Sequence, residues 1–241
     1  MSRVREVIIA VVVAAGTSVP GGAQSTQSPA LTEARQTVDA ARKEIAAYKA
    51  AGGAAGLADH PAIKWDAALW AYRERYPRSD AATLATAEAV RLLVGAELWD
   101  RAHARTDSLE PDDPAWARVA SPIYDEGIAR KDLPTAIERL SRVAAQATTP
   151  SIKSPVLIVL ARAYRRHGDY PAAIRALETA KAANPAPLVV EEADGLIYEI
   201  TYLRAGLPAP AIAGKPRNGG RAISMDSLRG RPVVLVFWGS T

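Results

Sequence analysis

The chain has 241 residues, enough to bury a sizeable core, and it contains no cysteine, so it has no disulfide framework of its own. Hydrophobic residues make up 49% of the sequence and aromatic residues only 6%, a composition that suits the packing of small-residue helices more than a β-sandwich. The formal net charge of +4 comes from 30 basic residues that are spread among 26 acidic ones, so we expect no nucleic-acid partner.

Residues 1–23 have the order of segments that is typical of a secretory signal peptide. Arg3 and Arg5 precede an apolar run at residues 7–15, and a small-residue stretch that ends at Ala23 follows it. The apolar run is well short of the roughly 20 residues that a membrane-spanning helix needs. The sequence therefore predicts a periplasmic or secreted protein without a membrane span after signal cleavage. A membrane anchor and a short buried helix are the alternatives for this run.

The pattern of residues 24–79 predicts two helices that precede the repeats of residues 80–206. The first spans residues 31–50 and is stopped by two glycines. The second spans residues 61–76 and is ended by Pro77. In the second helix Trp65, Leu69 and Tyr72 recur at helical spacing, which indicates a core face more than a ligand site.

Residues 80–206 contain an internal repeat. The stretch DLPTAIERL at 132–140 matches DYPAAIRAL at 169–177 at five of nine positions, with an offset of 37 residues. Prolines 114, 150 and 185 recur at intervals of 36 and 35 residues. Repeats of this length that each hold two helices stack into a solenoid. We therefore predict three units from about residue 80 to 187, followed by a closing helix at 188–204.

The last unit, residues 154–185, resembles a tetratricopeptide repeat. Five residues fall on the signature places of that family: Tyr164, Gly168, Ala173, Ala180 and Pro185. The two alanines are small where helices cross, the glycine lets the chain turn and the proline blocks a longer helix. Residues 83–114 and 117–150 fit the same frame more loosely. The resemblance implies a mainly α protein with a tetratricopeptide-like solenoid whose groove binds a protein or peptide partner.

In tetratricopeptide arrays the first helix of each unit lines the groove. Three arginines lie on that helix of the last unit. Arg162, Arg165 and Arg166 lie on the helix face opposite Leu157, Leu160 and Tyr164. Guanidinium groups bind carboxylates through paired hydrogen bonds, so we predict that these arginines bind an acidic peptide or a free carboxylate. A solvated arginine face is the alternative.

No other residue pattern predicts catalysis, a cofactor or a metal. His60, His103 and His167 are far apart, lack neighbours at metal-ligand spacing and are expected on the surface. The sequence has neither a phosphate-binding glycine loop nor a Gly-x-Ser-x-Gly elbow. The acidic residues at 191, 192 and 194 are expected to complement a helix dipole.

The helical periodicity ends at Gly206, and residues 207–241 have a different character. A linker, LPAP, is followed by a turn cluster at 215–220 and an apolar run, VVLVFW, at 233–238 that is typical of a buried strand. In order, these pieces resemble the beginning of thioredoxin-like disulfide reductases of the TlpA and ResA kind and of the wider AhpC/TSA redoxin family. The segment departs from that family at Ala211-Ile212 and at Met225. The resemblance implies an incomplete thioredoxin-like α/β domain.

In that family the Phe-Trp pair is followed by three residues and then by a Cys-x-x-Cys pair. Here Phe237-Trp238 is followed by Gly239, Ser240 and Thr241, so the family's cysteine pair would begin immediately after Thr241. A cysteine at a helix start has a lowered pKa and attacks as a thiolate. The resemblance thus implies a thiol-disulfide oxidoreductase or peroxiredoxin-like protein, of which these 241 residues alone are inactive.

Several explanations are open for this end of the sequence: a partial record, a nonsense codon or a selenocysteine codon. In another interpretation VVLVFW is the edge strand of a small complete domain, although a long unpaired apolar strand is an aggregation hazard. For function, the alternative to an oxidoreductase is a non-catalytic tetratricopeptide scaffold for protein interaction in the periplasm. The oligomeric state is not predicted.

Overall fold

The computed structural model describes residues 28–56, 58–208, 210, 211, 213, 214, 223–228 and 230. The described part of the chain is mainly helical, which confirms the predicted helical class. Its helices are α1 (Pro29–Ala50), α2 (Pro61–Arg75), α3 (Asp80–Gly95), α4 (Trp99–Asp107), α5 (Trp116–Ala129), α6 (Leu133–Gln146), α7 (Pro150–His167), α8 (Tyr170–Ala183) and α9 (Pro187–Tyr202). The predicted signal peptide and the run at 233–238 lie outside the described residues.

The helices form a stack with two layers. In the odd-numbered layer α1 packs on α3, α3 on α5, α5 on α7 and α7 on α9. Each of α1, α3, α5 and α7 also packs on the even-numbered helix that follows it. Because the connections from α3 to α4, α5 to α6 and α7 to α8 have only two or three residues, the two helices of each of these pairs run antiparallel. The arrangement is that of a helical solenoid, and α1 and α2 contact each other and α3 in the same way as the later pairs.

The repeated stretches at 132–140 and 169–177 contain the N-termini of two helices, α6 and α8. Asp132 and Asp169 are the N-caps of α6 and α8, and their carboxylates accept hydrogen bonds from the amides of Thr135 (3.3 Å) and Ala172 (3.0 Å). A proline follows in the first turn of each helix, where no amide hydrogen is needed. The chain reaches the second of these caps through Gly168, whose φ of +95° lies in the left-handed region that favours glycine.

The core is built largely from alanine and leucine. Leu140 of α6 and Leu177 of α8, which occupy the same place in the repeated stretch, are both 0% exposed. Ala173 and Ala180 are also fully buried, as expected for small residues where helices cross. One group of buried side chains joins α3 to α9, and a second joins α1, α2 and α3. The predicted N-terminal helices therefore share a core with the start of the repeats.

The crossing of α5 and α6 depends on a glycine that the sequence reasoning did not single out. Added to Gly127, a Cβ atom would lie 2.7 Å from Cβ of Ala136. We expect Gly127→Ala to lower the free energy of unfolding by about 1–3 kcal/mol through overpacking, even though alanine favours helices by about 1 kcal/mol. Urea denaturation measures this loss.

The matched control for this prediction is Gly95→Ala in α3. A Cβ at that position would meet nothing within 4 Å, so no loss of stability is expected. Equal effects of the two substitutions would show that the close approach of α5 and α6 does not limit the residue at 127.

A carboxylate in the connection after α4 ties it to the start of α7. Asp112 accepts hydrogen bonds from the hydroxyl of Thr148 (2.6 Å) and from the amides of Thr148 (2.9 Å) and Thr149 (2.8 Å). Thr149 is the N-cap residue of α7. The contact links residues that are 36 and 37 positions apart, and it therefore fixes one repeat unit against the next.

These hydrogen bonds lower the pKa of Asp112 from 3.8 to about 2, and the hydrogen bond from the Thr148 hydroxyl has the largest effect. Because the pKa of Asp112 is lower in the folded protein, its ionised carboxylate contributes fully to the stability of the fold above pH 3.8. This contribution is lost as the pH falls towards 2. An NMR titration of the carboxyl carbon is expected to show this value. In Thr148→Val the pKa is expected to move back towards 3.8, and an ordinary value in the unmodified chain would contradict the assignment.

After α9 the described part holds one short antiparallel strand pair. In it β1 (Ala213–Gly214) pairs with β2 (Ile223–Ser224), and a 3₁₀ turn, Met225–Leu228, follows. The thioredoxin-like part of the predicted fold is not shown by these residues and stays a prediction. Among the described helices none combines the length and the apolar character that crossing a membrane requires.

Candidate partner-binding surface on the odd-numbered helices

Two of the three arginines predicted to bind a partner form ion pairs with the last helix. Nη2 of Arg162 donates to Oε1 of Glu192 at 2.6 Å, and Arg165 forms an ion pair with Glu199. Both carboxylates belong to α9. Arg166 is exposed, and within the described residues it has no ion pair. Of the three predicted arginines, Arg166 therefore has the guanidinium that is most open to a ligand.

The structure contains a second charged surface, between α1 and α3. It is a groove of about 680 Å³. Its lining residues are Arg42, Ile45, Ala46 and Lys49 from α1 and Arg91, Leu92 and Gly95 from α3. The groove thus combines three cationic side chains with an apolar floor, and it lies in the odd-numbered layer at the opposite end of the stack from α9.

A buried carboxylate organises two of these cations. Glu88 is 4% exposed, and Oε1 and Oε2 accept hydrogen bonds from Nε and Nη2 of Arg42, each at 2.9 Å. Nε of Arg91 donates to Oε2 at 2.9 Å, and its Nη2 contacts Oε1. Burial by itself raises the pKa of Glu88, but the hydrogen bonds from Arg91 and Arg42 outweigh it and hold the pKa below its ordinary value. The carboxylate therefore stays ionised and fixes both guanidinium groups.

The groove can bind an anionic group. The side chains of Arg42 and Arg91 are 53% and 50% exposed, so donors that Glu88 does not use are open to a ligand. Lys49 is exposed and has no ion pair within the described residues. Ile45 and Leu92 form the floor of the groove, but they are only 9% and 6% exposed and offer a ligand little apolar surface. Three cations, against the carboxylate of Glu88 and the nearby carboxylate of Asp39, leave the groove with an excess of positive charge, which suits an acidic segment of a partner.

Sequence reasoning missed this groove because its parts are far apart in the chain. Arg42 and Glu88 are 46 residues apart and meet only because α1 packs on α3. The one local signal was the spacing of Glu88 and Arg91, three residues apart on one helix face. Such a pair is common on solvated helices and does not by itself indicate a site.

The three histidines lie apart in the stack, at the start of α2, on α4 and at the end of α7. The expectation that all three lie on the surface is wrong for His60, which is 2% exposed. Its ring packs against that of Tyr48, and its Nδ1 caps α2 by accepting from the amide of Ala62 (3.0 Å). Burial lowers the pKa of His60. Nε2 of His103 lies 2.6 Å from Oε1 of the buried Glu126, and the adjacent cavity of about 10 Å³ is too small for a substrate.

Two further observations limit the chemistry that can be assigned. Among the described residues no three histidine, aspartate or glutamate side chains are grouped so that they could hold a metal ion. The sequence has no cysteine, so the chain itself offers no thiol.

Comparisons with family models, with curated proteins and with solved structures found no match to this chain.

Proposed function

We propose that the chain is the partner-binding part of an exported thiol-disulfide oxidoreductase. In this proposal the helical array binds an acidic segment of a protein or peptide partner and tethers that partner to a thioredoxin-like domain that begins at residue 207. The observation that carries the binding half is the groove between α1 and α3, where the buried Glu88 fixes Arg42 and Arg91 beside Lys49, which has no ion pair within the described part of the chain.

The redox half is supported by the resemblance of residues 207–241 to the start of thioredoxin-like reductases. The antiparallel pair of β1 and β2 after the LPAP linker is in keeping with the hairpin that the resemblance implies. In such a domain one cysteine thiolate attacks a partner disulfide and forms a mixed disulfide, which the second cysteine then breaks while the partner leaves as a dithiol. Tethering the partner to the array would raise the frequency of this encounter.

A charge reversal in the groove tests the binding half. The probe is a fluorescein-labelled peptide of alternating glutamate and leucine, and fluorescence anisotropy measures its Kd. Lys49→Glu is expected to weaken binding by about tenfold, the effect of losing one charged contact of about 1.4 kcal/mol. The control, Lys43→Glu, changes an exposed lysine of the same helix that does not line the groove and should leave Kd unchanged.

The same assay distinguishes the two candidate surfaces. Arg166→Glu changes the predicted arginine face without breaking the ion pairs that Arg162 and Arg165 make with α9. If Arg166→Glu abolishes peptide binding while Lys49→Glu does not, the partner binds to α7, as the sequence predicts. If neither substitution alters Kd, the odd-numbered layer does not bind acidic segments and the proposal fails in its binding half.

Insulin reduction tests the redox half. The 241-residue chain is expected to show no dithiol activity, because it has no cysteine. The test is therefore made on the product of the native gene, read through the position at which the resemblance expects the cysteine pair. Reduction of insulin by this product would support the oxidoreductase. A product that binds the acidic peptide but does not reduce insulin would support the alternative, a non-catalytic scaffold.

A further inference from the structure

The connection from α1 to α2 ends on a buried histidine that caps a helix. His60 is 2% exposed, and it is the N-cap residue of α2, directly before Pro61. Its Nδ1 accepts a hydrogen bond of 3.0 Å from the amide of Ala62. Because a backbone amide can only donate, Nδ1 carries no proton, and the imidazole is neutral with its proton on Nε2. The cap therefore exists in only one protonation state of the ring.

The other side-chain caps in the described part of the chain use oxygen atoms. Ser79, Asp132 and Asp169 cap α3, α6 and α8 through a hydroxyl or a carboxylate. Such oxygens accept hydrogen bonds at neutral and at mildly acidic pH alike. An imidazole nitrogen differs, because it gains a proton within this range. Among the described helices, α2 is thus the one whose cap is sensitive to pH near neutrality.

Protonation of His60 would act on the start of α2 in two ways. A proton on Nδ1 removes the acceptor, so the amide of Ala62 loses its partner and two N–H groups face each other. The proton also adds a positive charge at the N-terminus of the helix, where the helix dipole has its positive end. Both effects oppose the capped arrangement, so proton binding favours a state in which the ring has left the helix.

The ring of His60 also belongs to the packing between α1 and α2. The ring of Tyr48, in the last turn of α1, meets it edge to face with the centroids 4.7 Å apart. The same tyrosine ring fills the space beside Gly53, where an added Cβ would clash with it. The amide of Gly56 donates a hydrogen bond of 2.7 Å to the carbonyl of Ala96, which follows α3. A movement of His60 therefore removes a contact of the end of α1 with the start of α2.

The surroundings of His60 favour the neutral ring. Burial has the largest effect and lowers the pKa of His60 below its ordinary value of 6.5. Lys49 of α1 lowers this pKa further, whereas Asp59 in the connection raises it, and within the described residues no charged group of α2 or α3 contributes. The unfolded chain thus binds the proton more readily than the folded protein. The contribution of the neutral ring to stability is therefore complete above pH 6.5 and falls as the pH drops below that value.

We propose that His60 is a pH-sensitive switch: the neutral imidazole closes the corner between α1 and α2, and proton binding releases the first turn of α2 from the end of α1. The switch lies next to the groove between α1 and α3, because Lys49, which lines that groove, follows Tyr48 in the chain. This inference does not depend on the proposed function, since it requires neither a bound partner nor a cysteine.

Hydrogen exchange of the full chain at pH 8 and pH 5 tests the switch. The readout is the protection of the amides of Ala62 and Ile63, relative to an unstructured peptide at the same pH. In the unmodified chain this protection is expected to fall about tenfold from pH 8 to pH 5, the effect of losing one helix cap. In His60→Asn, whose amide oxygen caps a helix without titrating, the protection should be equal at both pH values. In His60→Ala it should be low at both.

An NMR titration of the ring nitrogens supplies a second readout. The ¹⁵N shifts of His60 are expected to show a proton on Nε2 and none on Nδ1 at pH 8. The control variant, His167→Asn, makes the same change at an exposed histidine at the end of α7 and should leave the pH response of α2 unchanged. A proton on Nδ1 at pH 8, or equal protection of the unmodified chain at both pH values, would overturn the proposal. An equally large loss of protection in His60→Asn would assign the response to another group and reject His60.

Discussion

Replacing both Arg42 and Arg91 with alanine is expected to lower the free energy of unfolding at pH 7 by about 3–5 kcal/mol, the range for a buried charge that loses its partners. The reason is that Glu88 is 4% exposed and receives hydrogen bonds from both guanidinium groups. Without them its carboxylate would be buried and unpaired between α1 and α3. Urea denaturation at pH 7 measures the difference.

The pH dependence gives this prediction a second readout. In the unmodified chain the pKa of Glu88 is below its ordinary value of 4.5, so its stabilisation is complete above that value and is lost as the pH falls through the folded pKa. In the double variant burial alone acts on the carboxylate and raises its pKa. The stability difference between the two proteins is therefore expected to shrink as the pH is lowered from 7 towards 4.

A triple variant supplies the control for Glu88. Adding Glu88→Leu to the double variant removes the unpaired charge and replaces it with a side chain that suits a buried position. We expect most of the lost stability to return. If the triple variant is as unstable as the double variant, packing of the arginine side chains, and not the charge of Glu88, holds α1 against α3.

Replacing Leu140 or Leu177 with alanine is expected to cost about 2–5 kcal/mol each, the range for a fully buried leucine whose removal leaves a cavity. Both side chains are 0% exposed and occupy the same place in the repeated stretch, on α6 and α8. Comparable losses would show that the two units have equivalent cores. The losses are measured by urea denaturation monitored by circular dichroism at 222 nm, where the midpoint shifts by the loss divided by a slope of about 1–3 kcal/mol/M.

Ile128→Ala is the control for the two leucines. Its side chain is 38% exposed on α5, so the expected loss is below about 1 kcal/mol. Losses below this limit for Leu140→Ala and Leu177→Ala would contradict the assignment of these residues to the core. A large loss for only one of them would mean that the sequence repeat does not carry equal packing in the two units.

Charge pairs link neighbouring helices within each of the two layers. They join α1 to α3, α2 to α4, α4 to α6 and α7 to α9 through the pairs Arg42–Glu88, Asp66–Arg105, Asp107–Arg139 and Arg162–Glu192. Most of these arginines therefore contribute to stacking. For this reason an arginine-rich helix face in the sequence is weak evidence for a ligand site. Lys49 and Arg166, which lack such pairs within the described residues, are the better targets for binding tests.

The sequence alone predicted much of the helical array because its signals are local. The repeated Asp-x-Pro stretch marks the beginnings of α6 and α8, since the aspartate caps the helix and the proline fits its first turn. Gly168 marked the turn between α7 and α8 for a similarly local reason, its left-handed backbone. The burial of Ala173 and Ala180 followed from their predicted places where helices cross.

Only the tertiary structure decided which charges are free and which residues meet. Arg162 and Arg165 are paired because α9 packs against α7, and the groove exists because α1 packs against α3. The close approach of Gly127 to Ala136 likewise depends on the angle at which α5 and α6 cross. Helix propensity and spacing act within a few residues, whereas these contacts join residues on separate helices. Their partners are set by how the layers stack, and no short stretch of sequence carries that information.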